Sequence, residues 1–207
     1  MEKTMESENR AAASQAESAL LNVGVLGAEA SGFGDTGKRE TIGRFHLPEY
    51  EQIPDIGLFL EQTVKYIDQL VSPLDGISIT GSMVSNYVKK KLVKNPVKKQ
   101  YGREQIAALI IIVIVKNVLP IEDIHSLLGL VNESSSLPEA YEYFCVELTE
   151  VLQRVFNVKG GTAASDGVDT RQAEDAAVWK GLLHNVIITA AYRICVEGSF
   201  RVLRQRG

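Results

Sequence analysis

The sequence predicts an all-α fold with one small β wing. From residue 55 onward, apolar residues recur at steps of three and four, which is the period of an amphipathic helix. Strand signal is almost absent, apart from one short stretch, 97–101, that we expect to be extended. The chain of 207 residues is 45% apolar and 23% charged, which is the composition of an ordinary globular protein.

Six helices are predicted, and their ends are marked by proline, glycine and capping residues. Pro73 ends the first helix, because the residue before a proline is pushed out of the helical region. Thr80 supplies an N-cap for the second helix, and the Asn95-Pro96 pair marks the turn that follows it. The predicted ranges are 55–71, 81–91, 103–118, 120–128, 138–156 and 170–203.

The later helices differ in how they are expected to be buried. The helix at 103–118 is apolar nearly all round, so we expect it to be the central, buried one. Pro120 suits the first position of the next helix, with Glu122 and Asp123 near its N-terminal dipole, and Gly129 is expected to end it. The helix at 138–156 is apolar on one side, whereas the last helix is apolar on most sides.

Composition divides the chain into three predicted regions. Residues 1–44 are rich in Ala, Ser, Glu and Gly without an apolar period, and we expect them to form a disordered tail. Residues 45–132 are predicted to form a winged helix-turn-helix domain, and residues 133–207 a helical region for packing or dimerisation.

Cysteine usage and hydropathy indicate the compartment. Cys145 and Cys195 both lie in apolar helical patterns and are expected to be small buried hydrophobes in a reducing environment. No signal peptide is apparent, and the apolar run at 107–115 is far short of the ~20 residues that a membrane span needs. A cytoplasmic protein without membrane contact is expected.

The charge is concentrated in one place. Residues 89–104, the basic segment, contain seven cations and one acid, a formal charge of +6 in a chain whose net charge is −4. Such a concentration is typical of a nucleic-acid contact, although a lysine-rich face kept for solubility would have the same composition.

The spacing around the basic segment favours DNA recognition. In the helix at 81–91, Met83, Val84, Tyr87 and Val88 form an apolar side, and the opposite side is polar. Hydroxyl, amide and ammonium groups on one helix face are the groups that read base edges in the major groove. The predicted base-contacting residues are Ser82, Ser85, Asn86 and Lys89.

The stretch after this helix, residues 94–101, is predicted to be an extended cationic arm, the wing of a winged helix-turn-helix. Wings of this kind hold backbone phosphates, which gives affinity and register but no sequence choice. The predicted phosphate-contacting residues are Lys90, Lys94, Lys98, Lys99 and Arg103.

Residues 47–130 resemble the DNA-binding domain of MerR-type transcriptional regulators. They resemble still more closely an uncharacterised bacterial domain-of-unknown-function family with an S-M-V-x-N-Y-V-K segment, here SMVSNYVK, followed by K-x-Y, here KQY. The MerR-type pattern has R-Y-Y, then G-L, a wing with R-x-Y and an acidic helix start. When this pattern is aligned by position, Ser85, Asn86 and Tyr87 correspond to R-Y-Y, and Leu92 corresponds to the Leu of G-L. Lys99 and Tyr101 correspond to the wing pair, and Glu104 to the acidic helix start.

The resemblance implies that Tyr101 joins the phosphate-contacting set, and that a dimer forms beyond the DNA-binding part. Two residues depart from the MerR-type pattern. Lys91 stands where the pattern has Gly, at a position that normally takes a positive φ, and Ser85 replaces an arginine that would hold a phosphate.

Sequence-specific binding of double-stranded DNA by a homodimeric transcriptional regulator is therefore the predicted function. A non-catalytic adaptor that uses the same fold to bind an acidic protein is the alternative. An RNA-binding role is less favoured, because only Tyr87 and Tyr101 lie near the lysines for base stacking. His46, His125 and His184 are isolated, and no catalytic grouping is apparent, so no enzyme activity, metal site or cofactor is predicted.

Overall fold

The computed structural model describes residues 36–156 and 178–205, which form seven helices and one pair of short strands. The all-α prediction is confirmed for these residues. The elements are α1 (Thr36–Gly43), β1 (Leu58–Phe59), α2 (Leu60–Val71), α3 (Gly81–Lys89), β2 (Gln100–Tyr101), α4 (Arg103–Val115), α5 (Ile121–Ser134), α6 (Leu137–Val155) and α7 (Val178–Gln205); a 3-10 turn, Tyr50–Gln52, precedes β1.

Helix α4 lies at the centre, as its uniform apolarity predicts. Every residue from Ile106 to Val115 is buried, because α2, α6 and α7 pack around it. Helices on both sides of the predicted division at 132/133 therefore share one core. The division into domains stays a prediction.

The first predicted helix begins later than expected. Its proposed N-terminal turn is instead β1, which pairs antiparallel with β2, Leu58 opposite Tyr101 and Phe59 opposite Gln100. The side-chain oxygen of Gln62 accepts a hydrogen bond of 2.9 Å from the Phe59 N–H, which starts α2 directly after the strand. The helix ends at Val71, before Ser72-Pro73, as predicted.

Two further expectations are corrected. The predicted tail ends at residue 44, but α1 occupies its last part and buries Ile42 completely; the rest of the tail lies outside the described residues. Helix α5 continues through Gly129 to Ser134, because the buried stripe of Ile124 and Leu127 extends to Val131 and outweighs the cost of one helical glycine.

The last helix, α7, lies along α6. Trp179 is almost fully buried and its ring meets that of Tyr143 edge-to-face, with centroids 5.5 Å apart. Residues 170–177, which were predicted to begin this helix, lie outside the described residues. None of the described helices is long and apolar enough to cross a membrane.

The loop between α2 and α3 contains the one buried charged residue of the described chain, Asp75, which is 2% exposed. One carboxylate oxygen, Oδ1, lies 2.6 Å from Lys38 Nζ on α1 and 2.7 Å from an Arg201 guanidinium nitrogen on α7. The other oxygen, Oδ2, is buried without a hydrogen-bond partner. Asp75 thus joins the first and last described helices to the loop that leads into α3.

Candidate nucleic-acid interface

Helix α3 separates an inner face from an outer one. Val84 and Tyr87 are buried against the core, and burial raises the pKa of the Tyr87 phenol. The four residues predicted to contact bases, Ser82, Ser85, Asn86 and Lys89, are all exposed on the outer face. The amphipathic pattern therefore placed this face correctly.

The polar side chains on the outer face differ in whether they already form hydrogen bonds within the protein. The Ser85 hydroxyl donates a 2.8 Å hydrogen bond to the Gly81 carbonyl, and the Ser82 hydroxyl lies 3.0 Å from that of Thr80. The side chains of Asn86 and Lys89 have no hydrogen-bond partner within the described part of the chain. Asn86 and Lys89 are therefore the two groups on this face that are available to an external ligand without breaking an internal bond.

The N-terminus of α3 is fixed from two sides. Thr80 caps it by accepting a 3.3 Å hydrogen bond from the Met83 N–H, as predicted. Lys116, at the end of α4, donates a 2.6 Å hydrogen bond to the Ser78 carbonyl, and burial lowers the pKa of its ammonium group. Leu60 packs close to Gly81, which places the start of α3 beside the junction of β1 and α2.

The C-terminus of α3 ends in a Schellman motif built around Lys91. The Leu92 N–H bonds to the Tyr87 carbonyl at 3.0 Å, and the Lys91 N–H bonds to the Val88 carbonyl at 3.0 Å. Lys91 has a φ of 61°, the left-handed conformation that glycine adopts more easily. The expected glycine-like geometry is therefore present, and a lysine adopts it.

The wing is a tight hairpin, which corrects the prediction of an extended arm over 97–101. Val97 and Gln100 exchange backbone hydrogen bonds of 3.0 and 2.9 Å across a two-residue turn. Both turn residues, Lys98 and Lys99, have positive φ values, 50° and 66°, as in the type I′ turns that match the twist of a hairpin. The turn places both lysines, which are exposed, at the tip of the hairpin.

Gln105 attaches the base of the wing to α4. Its side-chain oxygen accepts a 2.7 Å hydrogen bond from the Gly102 N–H at the helix start. Its side-chain nitrogen donates to the backbone carbonyls of Asn95, at 2.9 Å, and Lys94, at 3.2 Å. One side chain therefore caps the buried helix and holds the first strand of the hairpin.

Three of the predicted phosphate contacts are already in intramolecular ion pairs. Lys90 Nζ lies 3.2 Å from Glu122 of α5, and Lys94 Nζ lies 2.7 Å from Glu104. Arg103 is only 19% exposed and pairs with Glu51.

Arg103 also donates a 3.0 Å bond to the Ile53 carbonyl and lies over the Tyr50 ring. These contacts give it a structural role, because it joins the segment before β1 to the start of α4; its assignment to phosphate stays a prediction. Tyr101 is 5% exposed, so its ring belongs to the core, and the phosphate contact that the resemblance implied also stays a prediction.

The remaining cations of the basic segment have no ion pair within the described residues. They are Lys89, Lys91, Lys98 and Lys99. All four are exposed, on the outer face and C-terminus of α3 and at the wing tip. Ammonium groups that neutralise phosphates displace the counterions condensed on a polyanion, so these four can supply salt-dependent affinity for one.

Sequence reasoning missed part of the geometry of the wing. Gln105 carried a usable signal, since a glutamine three residues after a helix start is a capping pattern. The row formed by the exposed side chains of Phe59 and Val97 had no such signal, because it depends on the pairing of Phe59 with Gln100, 41 positions away in the chain.

Other reactive groups lie away from this surface. His184 Nδ1 lies 2.6 Å from a Glu147 oxygen between α6 and α7. Burial raises the pKa of Cys145 to about 12 and also raises that of Cys195. Across 36–156 and 178–205, no group of His, Cys, Asp or Glu side chains is arranged to hold a metal ion.

Comparison with known families identifies part of the chain. Residues 48–144 match the family model described as a domain of unknown function, DUF1836. This segment is therefore similar to DUF1836 proteins. It includes α3, the wing, α4 and α5, and the match agrees with the predicted resemblance to an uncharacterised family. Searches of curated proteins and of solved structures gave no match.

Proposed function

We propose that this protein binds double-stranded DNA with sequence preference and acts as a transcriptional regulator, with α3 in the major groove and the wing on the backbone. The observation that carries the proposal is the position of the unpaired cations. Within the described residues, the four lysines of the basic segment that lack an ion pair lie on α3, at its C-terminus and at the wing tip.

The chemistry of α3 supports base reading in addition to charge. Asn86 can donate to and accept from adenine together, and Lys89 can reach the acceptors of guanine. Both project from a helix whose opposite side is held by buried Val84 and Tyr87, so the outer face is presented rigidly. In this proposal α2, α3 and the hairpin form a winged helix-turn-helix of MerR-like arrangement.

The conformation of the wing tip supports a contact with the DNA backbone. Lys98 and Lys99 occupy left-handed positions where glycine or asparagine would be less strained. Strained residues persist where surrounding structure and function retain them. Two lysines in such a turn are therefore better accounted for by a ligand than by folding.

A homodimer is part of the proposal, and α7 offers a surface for it. Its exposed face has residues at heptad spacing: Leu182, Thr189, Val196 and Leu203, with Asn185 and Tyr192 between them. This face extends over about 32 Å of helix. Apolar residues with a few polar positions, here Asn185 and Thr189, are typical of a two-helix seam, in which a polar residue fixes the register. A second copy of the chain is the partner that fits such a repeat.

The dimer is tested by its mass in solution. Sedimentation of the wild type should give twice the 22.7 kDa chain mass. A variant with Val196→Glu and Leu203→Glu should sediment as a monomer. Val146→Glu, which changes an exposed valine on α6, is the control and should remain dimeric. A monomeric wild type would contradict the dimer.

DNA binding is tested by selection from a randomised duplex pool. The wild type should enrich one motif, and a folded variant with Asn86→Ala, Lys98→Glu and Lys99→Glu should not. The matched control reverses two exposed cations outside the basic segment, Lys65→Glu and Arg204→Glu, and should keep the motif. Removing two phosphate contacts should also reduce the slope of log affinity against log salt by about 2.

The adaptor alternative predicts a different result. If neither the wild type nor the control enriches a motif, and all proteins bind duplex weakly and with the same salt dependence, DNA recognition is contradicted. The lysines would then be expected to contact an acidic protein surface.

A further inference from the structure

The outer face of the wing has an apolar and amide surface that phosphate binding does not explain. Val97 and Phe59 are 71% and 52% exposed, although both are large and apolar. The register places Gln100 between them, because Phe59 is opposite Gln100 on one side and Val97 is opposite Gln100 on the other. Residues directly opposite one another project from the same face of a ribbon, so the three form one row.

The opposite face of the ribbon accounts for the core contacts, which leaves this row without a structural role. Tyr101 alternates with Gln100 and is buried. Gly57 lies under the Gln100 side chain, and a Cβ at Gly57 would come within 2.7 Å of the Gln100 Cβ. The sequence therefore keeps space for Gln100 on the outer face.

Three glutamines of this segment, Gln52, Gln62 and Gln105, accept a hydrogen bond at a helix start. The side chains of Gln69 and Gln100 have no hydrogen-bond partner among the described residues, and of these two only Gln100 lies in the exposed row. A free amide between two exposed apolar side chains, directly after a lysine pair, is a combination that suits the minor groove: amides contact its acceptors and apolar residues open the base steps.

On this basis we infer that Gln100, flanked by Val97 and Phe59, contacts A·T pairs in the DNA minor groove beside the half-site read by α3. The inference rests on the proposed function and specifies its wing. Val97 and Gln100 lie on neighbouring strands, about 5 Å apart, which suits a groove about 6 Å wide. Phe59, one strand further, then meets the sugar edge of the groove.

In this inference, charge determines which end of the ribbon enters the minor groove. Lys98 and Lys99 lie at the hairpin end, whereas the exposed acids Asp55 and Glu61 flank β1. Phosphates attract the first pair and repel the second, so the hairpin end approaches the DNA. Leu60 contacts Gly81, which places β1 beside the start of α3 and makes the two surfaces neighbours.

The test uses the selected operator with three versions of the flank facing the wing: the selected A·T pairs, G·C pairs, and inosine–cytosine pairs. Inosine–cytosine presents the minor-groove pattern of A·T and the major-groove pattern of G·C, since inosine lacks the N2 amino group. The wild type should bind the G·C flank about tenfold more weakly and the inosine flank within about twofold of A·T.

A variant with Gln100→Ala and Val97→Thr should bind all three flanks equally, whereas Ile56→Ser, which changes an exposed residue outside the row, should keep the discrimination. Equal weakening by G·C and inosine–cytosine in the wild type would overturn the minor-groove inference and leave DNA binding intact. A selected motif without A·T preference on the wing side would also overturn it. Failure of the wild type to select any motif would overturn both proposals.

Discussion

The side-chain nitrogen of Gln105 donates a 2.9 Å hydrogen bond to the backbone carbonyl of Asn95, while its oxygen accepts from the Gly102 N–H. The wing is therefore positioned by α4, the most deeply buried helix of the fold. A hairpin with a two-residue turn has little stability of its own. Its orientation relative to α4 depends on this attachment.

The two functions of Gln105 can be separated by substitution. Gln105→Glu keeps an oxygen for the Gly102 N–H but cannot donate to the Asn95 carbonyl, so it should leave α4 intact and release the wing. Amide hydrogen exchange at Gln100 should accelerate, and affinity for DNA should fall. Gln105→Ala removes both contacts and should lower the free energy of unfolding by a further ~1 kcal/mol. Unchanged exchange in Gln105→Glu would contradict the attachment.

Substitutions in the wing turn should change the stability of the protein and its affinity for DNA in opposite directions. Lys98→Asn with Lys99→Gly introduces residues preferred at the positive φ values of a type I′ turn, and should raise the free energy of unfolding by roughly 0.5 to 1 kcal/mol. The same change removes both cations and should weaken DNA binding. Thermal unfolding and binding to the selected duplex measure the two effects. A variant that is more stable and binds as well as the wild type would exclude the tip from the interface.

In the proposed complex, Glu122 competes with DNA for Lys90. Hydrogen bonding to its own backbone N–H at the start of α5, and then to Lys90, lowers the pKa of Glu122, so the carboxylate is charged at neutral pH. Glu122→Gln should release Lys90, tighten DNA binding and make the salt slope steeper by about 1. Glu133→Gln, also exposed on α5, is the control. No change in slope would indicate that Lys90 lies away from the DNA.

Asp75 should be important for stability. Asp75→Asn weakens the contacts to Lys38 and Arg201 and should lower the free energy of unfolding by about 2 to 3 kcal/mol, below the full cost of breaking a buried pair because both cations reach solvent. Glu40→Gln, which changes an exposed ion pair with Arg44, should cost less than ~0.5 kcal/mol. Urea unfolding compares them, and equal effects would contradict the role of Asp75.

The cysteines should be unreactive in the folded protein. Burial raises the pKa of Cys145 to about 12 from an ordinary 9.0, so its thiolate fraction at pH 8 falls by about 1000-fold. Alkylation followed by mass spectrometry should show slow modification of Cys145 in the native state and fast modification in denaturant. Native alkylation should accelerate as the pH rises toward 12. A native rate equal to that of a free thiol would contradict the burial.

Sequence reasoning succeeded where a local pattern determines the structure. The unbroken apolar run identified α4 as buried, and the alternation of faces in α3 identified the exposed polar row from Ser82 to Lys89. Thr80 and Pro73 marked their helix ends because capping and steric exclusion act within a few residues.

Sequence reasoning failed where contacts are distant in the chain. It assigned Arg103 to phosphate and did not predict its ion pair with Glu51, which lies 52 residues away. Strand β1 is only two residues long and exists because β2 pairs with it, so no periodic signal could reveal it. The wing turn was missed for a different reason: Lys-Lys lacks the Asn-Gly chemistry that identifies type I′ turns.

The packing of α1 and α7 has a consequence for the segment that matches DUF1836. The match covers residues 48–144 and ends within α6, so it excludes both α1 and α7. A fragment limited to that match would expose the apolar sides of α4 and α6 that α7 covers, and would leave Asp75 without either cation. The matched segment therefore lacks helices that cover its own core, and expression of the segment alone should yield an aggregating chain.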